Sequence, residues 1–219
     1  MTERRKADTR TEVSRAAIRL FAERGFDETT VEDIAEASGM ALRTFYRYFR
    51  SKEETVAPVL SAGIADWVER LAACDPAVGL LEAMTTSYRA AMRHAREVDG
   101  VDDAQLRVVL RTADGHPALR AVWLGVHHDC EERLRPVIAA RVGAVDAARA
   151  GAAEAVEVDG LAVDLAAGVA NVAVRVAMRR WAAEGTGDAA DRVADALLRV
   201  ADGCWPQSPA GLGLKRRPG

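Results

Sequence analysis

Apolar residues recur along this chain at three- and four-residue spacing, and the two-residue alternation of half-buried strands is nearly absent. Val13, Ala16, Ala17, Leu20 and Phe21 form one stripe and predict a helix over 8–24, closed by Gly25 in a left-handed cap. Thr30 is placed to start a second helix, its hydroxyl accepting from the amide of Asp33, with Val31, Ile34, Ala35 and Ala37 buried. Ser38-Gly39 ends it after two turns. A third short helix is expected over 41–48, with Leu42, Phe45 and Phe49 apolar. Ser51 then reads as the N-cap of a long fourth helix to residue 73, kinked at Pro58. Asp75-Pro76 reads as the cap and first position of a fifth helix reaching Glu97. Further helices are expected over 101–111, 117–141 (interrupted or bent at Pro136), 161–184 and 189–203. Residues 143–159 carry no clear period. The expected fold class is therefore all-α.

Composition sharpens this picture. All four Phe lie within the first 49 residues and all four Trp lie after them, which suggests two cores with different packing vocabularies. Three domains follow: 1–56, 57–203, and a flexible basic tail over 204–219. No run of about 18 apolar residues is present, and no apolar segment follows the charged N-terminus, so no membrane partner and a cytoplasmic location are expected. The three Cys are far apart and read as reduced thiols.

The formal net charge is −3, but the charge is segregated. Residues 1–24 hold seven bases against four acids, and residues 27–36 hold five acids and no base. Residues 40–52 hold Arg43, Arg47, Arg50 and Lys52 with no acid. Two short helices about a glycine turn, the second of them basic, have the sequence shape of a helix-turn-helix. Thr44, Tyr46 and Tyr48 add hydrogen-bonding side chains to a face that cations would bring to phosphate.

The runs AAIRLFAERGFDETTVEDIAEASGM and LRTFYRYFRSKEE closely resemble the DNA-binding domain of the TetR family of repressors, over residues 9–56. The resemblance implies three DNA-binding helices, a linking fourth helix, a helical ligand-binding core and two dimerisation helices. By position, Thr30 would contact phosphate. Leu42, Arg43, Thr44 and Tyr46 would lie in or beside the major groove, and Tyr48 and Lys52 would contact the flanking backbone. Arg47 adds phosphate reach. Arg43 is the residue expected to read a base, since guanidinium pairs bidentately with guanine O6 and N7; a phosphate contact is its alternative. The R-T-F-Y-R-Y-F-x-S-K-E segment and the M-R-R-W-A-A-E-G run also resemble an acyl-CoA-sensing branch, that of mycofactocin-type regulators. An acyl-CoA is thus one expected effector class.

The dimer reading also has support from the residues alone. Leu161, Leu165, Val169, Val172 and Val176 form one stripe, and Val163, Ala170, Val174, Met178 and Trp181 cover other sides of the same helix. A helix apolar almost all round cannot lie on a monomer's surface. The expected dimer residues are Leu165, Val169, Val172, Val176 and Trp181, with Val193, Leu197 and Val200 as the partner stripe. Trp67, Met84, Tyr88, Met92, Leu106, Leu110, Leu119 and Trp123 are the candidates to line a pocket for a small hydrophobic effector, with ordinary core packing as the alternative for each. Arg89, Arg93 and Arg96 share one helical face, with Arg107 and Arg111 on the next helix; they read as a solvated face, with a site for an anionic ligand as the alternative. His127, His128, Cys130 and Glu131 lack a shared helical face and read as no metal site, and no cofactor is expected. Residues 57–203 carry no phosphate loop, nucleophile elbow or paired-carboxylate pattern, so the reading is a non-enzyme. The leading function is a ligand-responsive repressor binding a palindromic operator as a homodimer. The alternative is an effector-independent architectural or cell-division protein on the same scaffold.

Overall fold

The computed structural model describes residues 3–150 and 159–201, all of it helices and their connections. The helices are α1 (Glu3–Arg24), α2 (Val31–Ala37), α3 (Leu42–Tyr48), α4 (Ala57–Ala73), α5 (Leu80–His94), α6 (Asp103–Gly115), α7 (Pro117–Ala150), α8 (Gly160–Glu184) and α9 (Ala189–Ala201). The tail expected over 204–219 lies outside the described residues.

Local chemistry explains the boundaries, including those that depart from expectation. Thr30 caps α2: its hydroxyl accepts from the amide of Asp33 at 3.1 Å, and the Asp33 carboxylate accepts from the Thr30 amide at 2.8 Å. Ser51 does not open α4. A 3₁₀ turn over Glu53–Val56 comes first, and Glu54 accepts from the Arg50 amide at 2.9 Å. Pro58 consequently falls in the first turn of α4, where its missing N–H costs nothing, so it introduces no internal kink. The amide of Val59 is satisfied from α1, by Ser14 Oγ at 3.3 Å. Asp75 caps a tight turn through the Ala77 amide at 2.8 Å, and α5 begins only after Gly79. A π-helical turn over Ala95–Asp99 follows α5 and closes on Gly100 at φ +68°. Asp102 and Gln105 form a second reciprocal cap at the start of α6. α7 continues through Pro136 rather than stopping near Arg141.

Two buried clusters hold the chain. The first gathers Ile18, Phe21, Phe26, Ile34, Phe45, Tyr48, Phe49 and Val56 from α1–α3 and the 3₁₀ turn. It also takes Val101, Val109, Ala113 and Leu119 from the α5–α6 connection, α6 and α7. The reading helices therefore rest on α6 and α7 as well as on one another. The second cluster gathers Trp67, Leu71, Met84, Tyr88, Trp123, Leu134, Ile138, Val174, Trp181 and Leu197 from α4, α5 and α7–α9. Arg141 closes the α4–α5 end: it is buried and donates to the carbonyls of Cys74 at 2.8 Å, Asp75 at 3.1 Å and Val78 at 2.8 Å. Its charge also suits the negative C-terminal end of α4.

Of the arginines expected to face solvent, Arg89 and Arg93 are exposed, while Arg96, Arg107 and Arg111 tie α5–α6 to the α8–α9 region. Arg89 pairs with Asp191 at 3.1 Å, and Arg96 pairs with Asp103 at 2.7 Å and Asp188 at 3.0 Å. Burial would raise Asp188, but Arg96 and the amides of Asp191 and Ala190 outweigh it and hold the carboxyl below its ordinary value. Arg107 lies over the Trp181 ring at 4.2 Å and donates to the Gly187 carbonyl at 2.8 Å. Arg111 donates to the Ala182 carbonyl.

α8 corrects one expectation. By length and composition it is apolar enough to cross a membrane, with a mean hydropathy of 1.6 over its most apolar 18 residues. No single run reveals this, because Asp164, Asn171 and Arg175 interrupt the sequence. The apolar residues divide between a face buried in the subunit and a face outside it.

Candidate nucleic-acid interface and effector cavity

α3 is short and two-faced. Phe45 and Tyr48 point into the first cluster and anchor it, while Leu42, Arg43, Tyr46 and Arg47 are exposed on the opposite side and Thr44 is half-buried. Tyr46 is 53% exposed, unusual for an aromatic with a solved core beneath it. Its ring stands edge-on to Phe45 at 5.6 Å, which fixes its direction. The C-terminal end of α3 is held by Arg10 of α1, which donates to the Tyr48 carbonyl and lies over the Phe49 ring at 4.5 Å. Arg10, Tyr46, Arg47 and Arg50, with Glu54 among them, border an open concavity beside α3. Cationic and hydrogen-bonding groups of the kind a duplex requires are thus gathered around α3.

Three residues expected at the DNA are occupied within the protein. Tyr48 is buried, with the Arg47 guanidinium 5.5 Å from its ring. The Thr30 hydroxyl accepts from the Asp33 amide and donates to the Asp33 carboxylate at 2.6 Å; that hydroxyl and the Thr30 amide hold the carboxyl below its ordinary value. The Lys52 ammonium donates to the carbonyls of Phe26 at 2.7 Å and Thr29 at 3.0 Å and lies over the Phe26 ring at 4.3 Å. Lys52 is a staple on the α1–α2 connection. His116, at the α6–α7 junction, grips the same connection: its Nε2 meets Asp27 at 2.9 Å, and its ring stands edge-on to Phe26 at 4.9 Å.

A cavity of about 100 Å³, open at its mouth, lies between α4, α5, α6, α7 and α8. Five of the expected residues line it: Tyr88, Met92, Leu106, Leu110 and Trp123. Three do not. Trp67 is fully buried behind Tyr88, its indole donating to the Met84 carbonyl at 3.2 Å, so Trp67 and Met84 are core packing. Leu119 belongs to the first cluster. Sequence reasoning missed Val59, Gly63, Val101, Val174, Met178 and His127. The α8 contribution escapes the sequence pattern because that helix reads as a dimer helix, and on α4 only the large Trp67 stands out. From sequence, His127 suggests only a metal ligand. Its Nδ1 instead meets Asn171 Oδ1 at 2.8 Å, and burial, opposed by Asn171 and aided by Arg175, holds its pKa below the ordinary value. Cys130 lies in the core, where burial pushes its thiol up to about 12. Among the described residues no group of three His, Cys, Asp or Glu is placed to hold a metal.

The outer face of α8 carries Leu161, Leu165, Val169, Val172 and Val176, 37–67% exposed, with Leu198 of α9 beside them in exposure. The other expected dimer residues face inward. Trp181, Val193 and Leu197 are buried in the subunit's own core, with the Trp181 indole donating to the Gly187 carbonyl at 2.9 Å, and Val200 is half-buried against the same core. Heptad-like spacing in α9 identified an apolar stripe but not which neighbour covers it.

Comparison with known proteins agrees with this architecture. Residues 14–57 match the family model of the bacterial regulatory proteins of the tetR family. The transcriptional regulator TcmR of Streptomyces glaucescens is 36% identical over 145 residues, 65% of this chain and 64% of TcmR. The chain thus spans under two thirds of TcmR's length. The putative mycofactocin biosynthesis transcriptional regulator MftR of Mycobacterium tuberculosis is 31% identical over 140 residues, 64% of this chain and 69% of MftR. In three dimensions, Thermus thermophilus FadR, a repressor solved with lauroyl-CoA, superposes with a TM-score of 0.54 at 23% identity, covering 96% of this chain and 99% of FadR. With a helix-turn-helix on a basic face, a helical second body and these relatives, the chain belongs to the TetR family of transcriptional regulators.

Proposed function

We propose that the protein is an effector-controlled repressor that binds a palindromic operator as a homodimer and is released by a small hydrophobic molecule. The observation that carries this is a shared wall. Val101 lines the cavity and is also part of the first cluster, on which α3 rests. Val59 and Leu60, at the start of α4, line the cavity and pack against that same cluster. A ligand that displaces these three side chains moves the support of the reading helix directly. The presence of an apolar cavity also favours this reading over an effector-free architectural protein.

In this reading Leu42, Arg43, Thr44 and Tyr46 meet the major groove, Arg47 and Arg50 meet phosphates, and Arg43 reads a base. Thr30, Tyr48 and Lys52 act mainly by holding α2, α3 and their connections in place. The outer stripe of α8 packs on its copy, because a row of five exposed aliphatic side chains is a poor water-facing surface and a two-fold interface is self-complementary. Two reading helices must then fit one groove spacing, so a small swing of α4 costs register at both half-sites. Moving from mostly bound to mostly released requires about 10⁴-fold differential affinity of the effector for the two states. The lauroyl-CoA seen in Thermus thermophilus FadR makes acyl thioesters one class to include among candidate effectors.

The test is selection of DNA from a random pool with the purified protein. The expected product is an inverted repeat with half-site centres about one helical turn, or a multiple of it, apart. A single non-repeated site, or no enrichment, contradicts the dimeric operator reading.

A further inference from the structure

We infer that His127 makes the cavity selective for a neutral hydrophobic effector carrying a hydroxyl, with the His127 Nε2 lone pair accepting the hydrogen bond. This inference rests on the effector-controlled reading above and adds the chemical class of the ligand.

The argument begins at Glu131. Its carboxylate lies 3.8 Å from Arg135, and it accepts at 3.5 Å from the Asn171 amide nitrogen. A carboxylate can only accept, so the NH₂ of Asn171 must face Glu131 and the Oδ1 must face His127. That oxygen in turn can only accept, so the proton of His127 sits on Nδ1. Burial keeps the ring neutral. A neutral imidazole protonated on Nδ1 presents an acceptor at Nε2. Nδ1 is turned to α8, and the described residues give Nε2 no hydrogen bond, while the ring lines the cavity at 5.1 Å from Trp123.

The other walls limit what can occupy the site. They are overwhelmingly aliphatic or aromatic, and among the described residues no Lys or Arg lines the cavity. The one carboxylate among the described lining residues, Asp103, is held bidentately by Arg96 at 2.7 and 3.2 Å. An anionic ligand therefore meets no free cation among the described walls, and an acceptor that a ligand covers without offering a donor costs affinity. A hydroxyl on an otherwise apolar body satisfies Nε2 and leaves no charge buried.

The test uses the full chain and three probes of nearly equal size, followed by quenching of Trp123: 1-hydroxypyrene (a donor), 1-methylpyrene (neither donor nor acceptor) and pyrene-1-carbaldehyde (an acceptor only). Wild type should bind 1-hydroxypyrene about tenfold tighter than 1-methylpyrene, although the methyl compound is the more hydrophobic. His127→Phe should bind both equally. Asn171→Leu removes the group that fixes the tautomer, so the ring can move its proton to Nε2, and the carbaldehyde should gain on the hydroxyl compound. This exchange of preference is one that a merely structural role would not produce, and it decides the matter even if His127→Phe folds poorly. Equal binding of 1-hydroxypyrene and 1-methylpyrene by wild type, or a hydroxyl preference that survives in His127→Phe, overturns the inference while leaving an effector cavity standing. Binding of none of the three probes overturns the effector reading and the inference with it.

Discussion

Lys52 is a residue on which family position and observed geometry make different demands. Position assigns it to a phosphate, whereas its ammonium is 2.7 and 3.0 Å from two main-chain carbonyls and over the Phe26 ring. Hydrogen bonds from a charged donor contribute about 1.5–3 kcal/mol each, and an exposed cation–π contact about 0.5–1 kcal/mol. Lys52 is only half-buried, so water can re-enter and satisfy the vacated carbonyls, and the net loss in Lys52→Ala should be about 2 kcal/mol. For a chain of this length each kcal/mol moves the melting midpoint by about 2–4 °C, so a fall of about 4–8 °C is expected at fixed protein concentration. Lys52→Met keeps the aliphatic stem and isolates the ammonium; it should recover only a small part of the loss. Thermal unfolding of the three proteins, paired with the salt dependence of operator binding, decides the question. An unchanged melting midpoint, together with a salt slope lowered by about one unit, would show that the ammonium serves a phosphate and would refute the staple.

Val172→Glu places a charge in the middle of the outer α8 stripe and should turn a dimer into a monomer in light scattering; a dimer that survives puts the interface elsewhere. Arg43→Ala should relax preference at one base position, at a cost of about 1–3 kcal/mol, and an unchanged motif in DNA selection would make Arg43 a phosphate contact. His116 gives a pH dependence. The Thr112 carbonyl, and then Asp27, raise its pKa above 6.5. Its protonated form is therefore favoured by folding: that stabilisation is complete below pH 6.5 and is lost as pH rises through the raised value. The melting difference between wild type and Asp27→Asn should be largest in mild acid and shrink above neutrality. A difference independent of pH would mean that the Asp27 contact does not involve the imidazolium.

The helix pattern of the first 49 residues is legible because its signals are local. The Thr30 cap, Gly25 and Gly39 at positive φ, and the alternation of Phe45 and Phe49 with exposed Arg43, Tyr46 and Arg47 all follow from spacing within a few residues. What was not legible depends on partners distant in sequence. Ser14 satisfies Val59 across 45 positions, and this helps α4 to begin at Ala57 rather than at Ser51. The arginines of α5 and α6 look solvated from their helix faces, but their partners lie across the fold at Gly187, Asp188 and Asp191. α8 and α9 show the same limit from the other side. Periodicity finds an apolar stripe on each, yet only the packed structure shows that α9 spends its stripe inside the subunit while α8 keeps one outside. For the cavity, residue size suggested Trp67 and Trp123 alike. Only Trp123 reaches it, because Tyr88 and the Met84 carbonyl hold Trp67 in the core.

The measurement that bears most directly on effector control is a paired titration of the protein bound to its selected operator. Trp123 fluorescence and DNA release are followed in the same sample as a hydrophobic ligand is added, with lauroyl-CoA and the pyrene series as ligands. Trp67→Phe removes one of the two core indoles and so reduces the background beneath the Trp123 signal. The account predicts that quenching and release share one midpoint, and that substituting Val101 by the larger Phe, which fills the shared wall, shifts both together. Quenching that saturates while the operator stays bound would contradict the account, since the cavity would then be occupied without any hold on the reading helices.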